Sequence, residues 1–70
     1  MNRKEKLFWL TDKQQGLGIP NIVIARFSHC HPSSIANYLN GAEPTVRIGN
    51  QIDEGIELIL KIVKEKLGEE

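Results

Sequence analysis

Apolar residues in this chain recur at helical spacing, and nowhere do they alternate with period two for long enough to make a strand. Over residues 3–15, Leu7, Leu10, Thr11 and Gln14 fall on one face with Phe8 and Trp9 beside them, which predicts a first helix. Asn2 stands where it can cap that helix, and Glu5 completes a capping-box pattern. The stretch "QGLGIP" stops it, since two glycines suit a C-terminal cap and a turn. Pro20 fits the first turn of a second helix over Pro20–Ser28, with Ile24, Ala25 and Phe27 facing inward. After the break "SHCH", Pro32 fits the first position of a third helix, with His31 or the nearby serines at its cap. Ile35, Tyr38 and Leu39 give that helix an i, i+3, i+4 stripe, and Asn40–Gly41 ends it. The last helical region opens at Thr45 or Asn50 and runs to about Leu67. Ile52, Ile56, Ile59, Leu60, Val63 and Leu67 line one side of it, while Leu58 and Ile62 lie off that stripe. Gly49 and Gly55 each weaken the helix by roughly 1 kcal/mol relative to alanine, and mark either a break or a close approach to another helix. The expected fold is all-α, with four to five short helices.

Length and composition narrow the classes. Seventy residues make a single domain, residues 1–70. A chain this short buries only about 60% of its unfolded surface, so it gains from tight helix packing or a partner subunit. One cysteine makes no intramolecular disulfide, and without a signal-peptide pattern a cytoplasmic setting is expected. The longest apolar runs, Leu7–Leu10, Ile22–Ala25 and Leu58–Leu60, are too short to span a membrane. Net charge is zero but unevenly spread. Residues 1–47 carry six Lys/Arg against three acids, and residues 48–70 carry three against six. Any surface that meets a polyanion therefore belongs to the first two thirds.

Two short helices around "SHCH", the second ending at Asn-Gly, have the layout of a helix-turn-helix. In that layout Ala25 is the small residue at the helix crossing and Ile24 its core neighbour. Cys30 plugs the turn, and Ile35 and Tyr38 form the inner face of the second helix. Pro32, Ser33, Ala36, Asn37 and Asn40 are left pointing outward, without charge and with short side chains.

The stretch "IARFSHCHPSSIANYLNG" resembles the motif of Cro/lambda-repressor-type (XRE-like) regulators and is similar to the headpiece motif of LacI-type regulators. The frame covers Asn21–Gly41, within a motif region of about 20–41, and "EPTVRIGNQI" resembles the start of the fourth helix of the first family. A helix before the motif and a helical region over about 45–67 after it favour that first arrangement. Two positions depart from the pattern. His29 stands at the usual turn glycine, where a positive φ costs a side chain something. Ser28 stands at a usual apolar position, for which Phe27 can substitute.

The resemblance implies a lambda-repressor-like domain with a central helix-turn-helix and an extended C-terminal helix. Its function would be sequence-specific binding of double-stranded DNA by a small, non-enzymatic repressor without a cofactor, of phage, mobile-element or antitoxin type. Carried across by position, Asn21 would bond a phosphate, and Pro32, Ser33 and Asn37 would face bases. Ser34, Asn40 and Arg47 would lie near the DNA backbone. Pro32 offers only apolar contact, whereas asparagine at 37 suits adenine. Leu58 and Ile62 either complete the monomer core or form a homodimer contact on a palindromic operator, with control by concentration or a regulatory protein partner. The expected place is the cytoplasm, on the nucleoid.

Two alternatives remain. The same fold serves as a protein-interaction module, an antirepressor or adaptor, which the neutral net charge suits. The triplet His29, Cys30, His31 would make a metal or redox sensor, but adjacent residues seldom converge on one ion, and no second ligand pair stands at the usual spacing. No metal site is therefore expected.

Overall fold

A computed structural model describes residues 2–68, with side chains as far as Lys66. Four helices follow one another: α1 (Arg3–Thr11), α2 (Asn21–Ser28), α3 (Pro32–Leu39) and α4 (Val46–Gly68). There is no strand among the described residues, so the chain is all-α. No helix among them is long and apolar enough to cross a membrane.

The capping box of α1 is formed. Asn2 Oδ1 accepts the Glu5 N–H at 2.8 Å, and Glu5 Oε1 accepts the Asn2 N–H at 3.0 Å. The helix ends at Thr11, short of the expected residue 15. Asp12 turns into extended backbone (φ −68°, ψ 124°), and its carboxylate accepts the Gln14 N–H at 2.8 Å. That local bond gives the backbone an alternative to helix. Gln14 therefore lies exposed in a turn, not on the helix face. The returning loop fills the open carbonyls of the helix end: Leu17 N–H donates to Trp9 O at 3.0 Å and Ile19 N–H to Leu10 O at 2.8 Å. Gly16 permits this approach, because a Cβ there would run into the Trp9 carbonyl.

Pro20 is the N-cap of α2, one position before the first turn expected for it. Its carbonyl accepts the N–H groups of Val23 and Ile24 at 3.0 and 3.3 Å. Pro32 does open α3. Thr45 opens α4 rather than Asn50, its hydroxyl accepting the Ile48 N–H at 3.2 Å.

α4 runs unbroken through Gly49 and Gly55, which mark close approaches. A Cβ on Gly49 would lie 2.8 Å from the Arg3 guanidinium, and one on Gly55 would lie 2.9 Å from the Cα of Ser28. The second approach lets α4 pack chiefly on α2.

All four helices feed one core: Leu7 and Leu10, Ile24 and Ala25, Ile35 and Tyr38, and Ile52, Ile56 and Ile59. Each fully buried aliphatic side chain contributes about 1.5–3 kcal/mol. Trp9, Phe27, Leu60 and Val63 pack partly buried around it. Phe8 is 47% exposed, and Leu58 and Ile62 are 46% and 40% exposed. The side chain of Leu67, expected on the buried stripe, lies outside the described residues.

Candidate nucleic-acid interface

The joint between α2 and α3 is residues 29–31. His29 takes left-handed backbone (φ 58°, ψ 37°) and its N–H donates to Arg26 O at 3.3 Å. The next N–H, of Cys30, reaches back to Ala25 O at 3.1 Å. These are the bonds of a Schellman-type helix end, in which the residue after the left-handed one makes an apolar contact. Cys30 does so, packing partly buried against the core. Burial pushes its thiol pKa up, the opposite of what a reactive thiolate needs.

His31 ends the joint by capping α3. Its Nδ1 accepts the Ser33 N–H at 3.1 Å and lies 2.9 Å from the Ser33 hydroxyl. The three side chains of the triplet thus go to different places: His29 to solvent, Cys30 toward the core, His31 onto Ser33. Among the described residues no three His, Cys, Asp or Glu side chains come together as a metal site would require.

Ser28 resolves one departure from the motif. It is 1% exposed and occupies the inward position itself, against Gly55, while Phe27 is only half-buried. Its hydroxyl has no hydrogen-bond partner. A serine is small enough for the helix crossing, though it leaves a polar atom unsatisfied in the core.

α3 turns Ile35 and Tyr38 inward and leaves Ser33, Asn37 and Asn40 exposed, with Pro32, Ser34 and Ala36 half-buried at the edges. Asn40 is the C-cap, its N–H donating to Ala36 O at 3.0 Å. Arg47 is exposed in the first turn of α4, and Asn21 is half-buried at the start of α2. A small hollow of about 170 Å³ flanks α3, lined by Ser34, Asn37, Tyr38 and Glu43 among others. Glu43 therefore shares that hollow with Ser34, one of the positions expected near phosphate.

The basic run of α1 is divided by α4. Arg3 holds Asp53 in a two-pronged pair at 2.8 and 3.0 Å, and Lys6 reaches Glu57 at 3.4 Å. The hydrogen bond from Arg3 keeps the Asp53 carboxyl below its ordinary pKa, and Asp53 in turn raises that of Arg3. Lys4 sits 5.8 Å from the centre of the Tyr38 ring, at the side of α3, and the Arg3 guanidinium lies 6.0 Å from the same ring. The sequence marks Lys4 only as part of the basic run Arg3–Lys6, a solvated helix face or a phosphate contact, and does not single out Glu43. Their place beside α3 comes from the packing of α1 and from the connector, which no periodicity records.

Comparison with protein-family models, curated proteins and solved structures gave no match to this chain. The likeness of residues 21–41 to a repressor motif therefore rests on those residues alone.

Proposed function

We propose that this chain is a sequence-specific DNA-binding regulator with a lambda-repressor-like domain, in which α2 and α3 form the helix-turn-helix and α3 enters the major groove. One observation carries the reading. A pair of short helices is closed by a left-handed turn and packed on the core by one side, and its other side exposes short, uncharged, hydrogen-bonding side chains. Short side chains let a helix approach base edges closely, and neutral ones discriminate by hydrogen bonding rather than by charge.

In this reading Asn37 pairs with adenine and Ser33 reads a neighbouring base. Asn21, Ser34, Asn40 and Arg47 hold the backbone, together with the N–H groups at the helix starts. Lys4 adds a charge at the side of α3. The regulator acts on DNA in the cytoplasm, as a repressor that occupies a palindromic operator as a dimer with half-sites about 34 Å apart. Its activity is set by concentration or by a partner protein.

The test is selection of bound duplexes from a random pool at low salt. The expected result is an enriched sequence with two related half-sites. Failure to retain any duplex overturns the reading. Asn37→Ala is expected to erase the sequence preference while leaving the helical circular dichroism unchanged.

A second reading, a protein-interaction module such as an antirepressor, is favoured by the exposed pair Leu58 and Ile62 on α4. It predicts a bound protein and no salt-dependent DNA binding.

A further inference from the structure

His31 holds two groups of Ser33 at the start of α3. Its Nδ1 lies 3.1 Å from the Ser33 nitrogen and 2.9 Å from the Ser33 hydroxyl oxygen, on the exposed side of the helix. A backbone N–H can only donate, so Nδ1 carries a lone pair and the neutral ring has its proton on Nε2. With Nδ1 bare, the short contact to the hydroxyl is attractive in one arrangement only, the Ser33 O–H turned toward the ring. A hydroxyl has a single proton. Once that proton is committed to His31, Ser33 presents only lone pairs to the outside.

We infer that His31 is a positioning residue for sequence readout, fixing Ser33 as a hydrogen-bond acceptor that selects a base amino group in the major groove, adenine N6 or cytosine N4. These amino groups are the only donors on the base edges there, since guanine N7 and O6 and thymine O4 all accept. A free serine hydroxyl turns to suit a donor or an acceptor and so discriminates little. A held one discriminates, because an acceptor set against its lone pairs is left unpaired once water is expelled. Asn37, one turn further along the same exposed side, carries both an acceptor and donors and is under no such restriction. The inference rests on the operator reading and adds to it the kind of atom that Ser33 takes.

The first test needs no DNA. The ring-nitrogen NMR shifts of His31 in mildly alkaline buffer are expected to show Nδ1 bare and Nε2 protonated. A proton on Nδ1 overturns the inference whatever DNA does. The second test uses the operator selected by the wild-type chain, in which the base pair facing Ser33 is the one whose preference disappears in Ser33→Ala. The amino group of that pair is removed by putting purine for adenine, or the pyrimidinone that lacks the group for cytosine. The wild-type chain is expected to lose roughly fivefold more affinity by this than Ser33→Ala does. Replacing N7 of the same pair by carbon is expected to change neither. His31→Asp, whose carboxylate also accepts the Ser33 N–H and O–H, is expected to keep the dependence on the amino group, and His31→Ala to lose most of it. Circular dichroism checks that both variants are folded under the binding conditions. A dependence on N7 in place of the amino group, or one that survives in full in His31→Ala, overturns the inference and leaves the operator reading standing. A chain that retains no duplex overturns the operator reading and the base assignment with it.

Discussion

Between α1 and α2 the chain uses residues 12–20 to turn back, and between α2 and α3 it uses only residues 29–31. Each joint passes through left-handed backbone, at Gly18 (φ 67°) in the first and at His29 (φ 58°) in the second. The first joint is held by what its residues lack. Gly16 has no Cβ, so the loop lies against the Trp9 carbonyl, and the last carbonyls of α1 are filled by the returning chain. The second is held by what its residues carry. Cys30 supplies an apolar anchor, His31 a cap, and two backbone bonds offset the strain of a side chain at His29. A joint of the first kind tolerates no added atom at its closest point. One of the second kind loses stability piecemeal as its side chains are trimmed.

Three variants test that contrast by chemical denaturation, and a fourth probes the other fastening of α1. Gly16→Ala is expected to have the largest effect, a loss of about 3 kcal/mol or more, since the added methyl meets backbone that cannot move aside. A loss below about 1 kcal/mol would break the account of the first joint. His31→Ala is expected to cost about 1 kcal/mol by removing the α3 cap, and His31→Asp to recover most of it. His29→Gly is expected to gain about 0.5–1 kcal/mol, the relief of strain being partly cancelled by the freedom glycine gains in the unfolded chain. The smallest effect concerns the other fastening of α1, the Arg3–Asp53 pair. Asp53 has a lowered pKa in the folded chain, so its contribution is present above the ordinary carboxylate range and is lost as pH falls through the folded value. Both partners are partly exposed, so Asp53→Asn is expected to cost less than about 1 kcal/mol at neutral pH, with the difference vanishing in acid.

Elements with a strong period and a clear cap were legible from sequence. α3 runs from Pro32 to the Asn40–Gly41 stop, and α4 shows its buried stripe of Ile52, Ile56 and Ile59. The end of α1 was not, because periodicity continues past Thr11 while Asp12 and Gly16 divert the backbone. The partnership of Ser28 with Gly55 was hidden for a different reason. Ser28 alone reads as a polar residue at an apolar position and Gly55 as either a break or a close approach, and only their packing across α2 and α4 decides between these. For the candidate interface, sequence spacing identified Ser33, Asn37 and Asn40 as outward, whereas Pro32 and Ala36, expected with them, are half-buried. It could not reveal that Glu43 and Lys4 flank that helix, or that Arg3 and Lys6 are engaged elsewhere.

That engagement has a consequence for how ionic strength acts on the molecule. With Arg3 and Lys6 paired to α4, the first two thirds of the chain keep Lys4, Lys13, Arg26 and Arg47 without an ion pair among the described residues. Four cations displace at most four condensed counterions from a duplex, which sets the slope of log affinity against log salt no steeper than about −3.6 per chain. If the chain binds DNA as proposed, the rest of that affinity comes from helix starts and uncharged side chains, and its salt dependence is shallower than that of a basic protein.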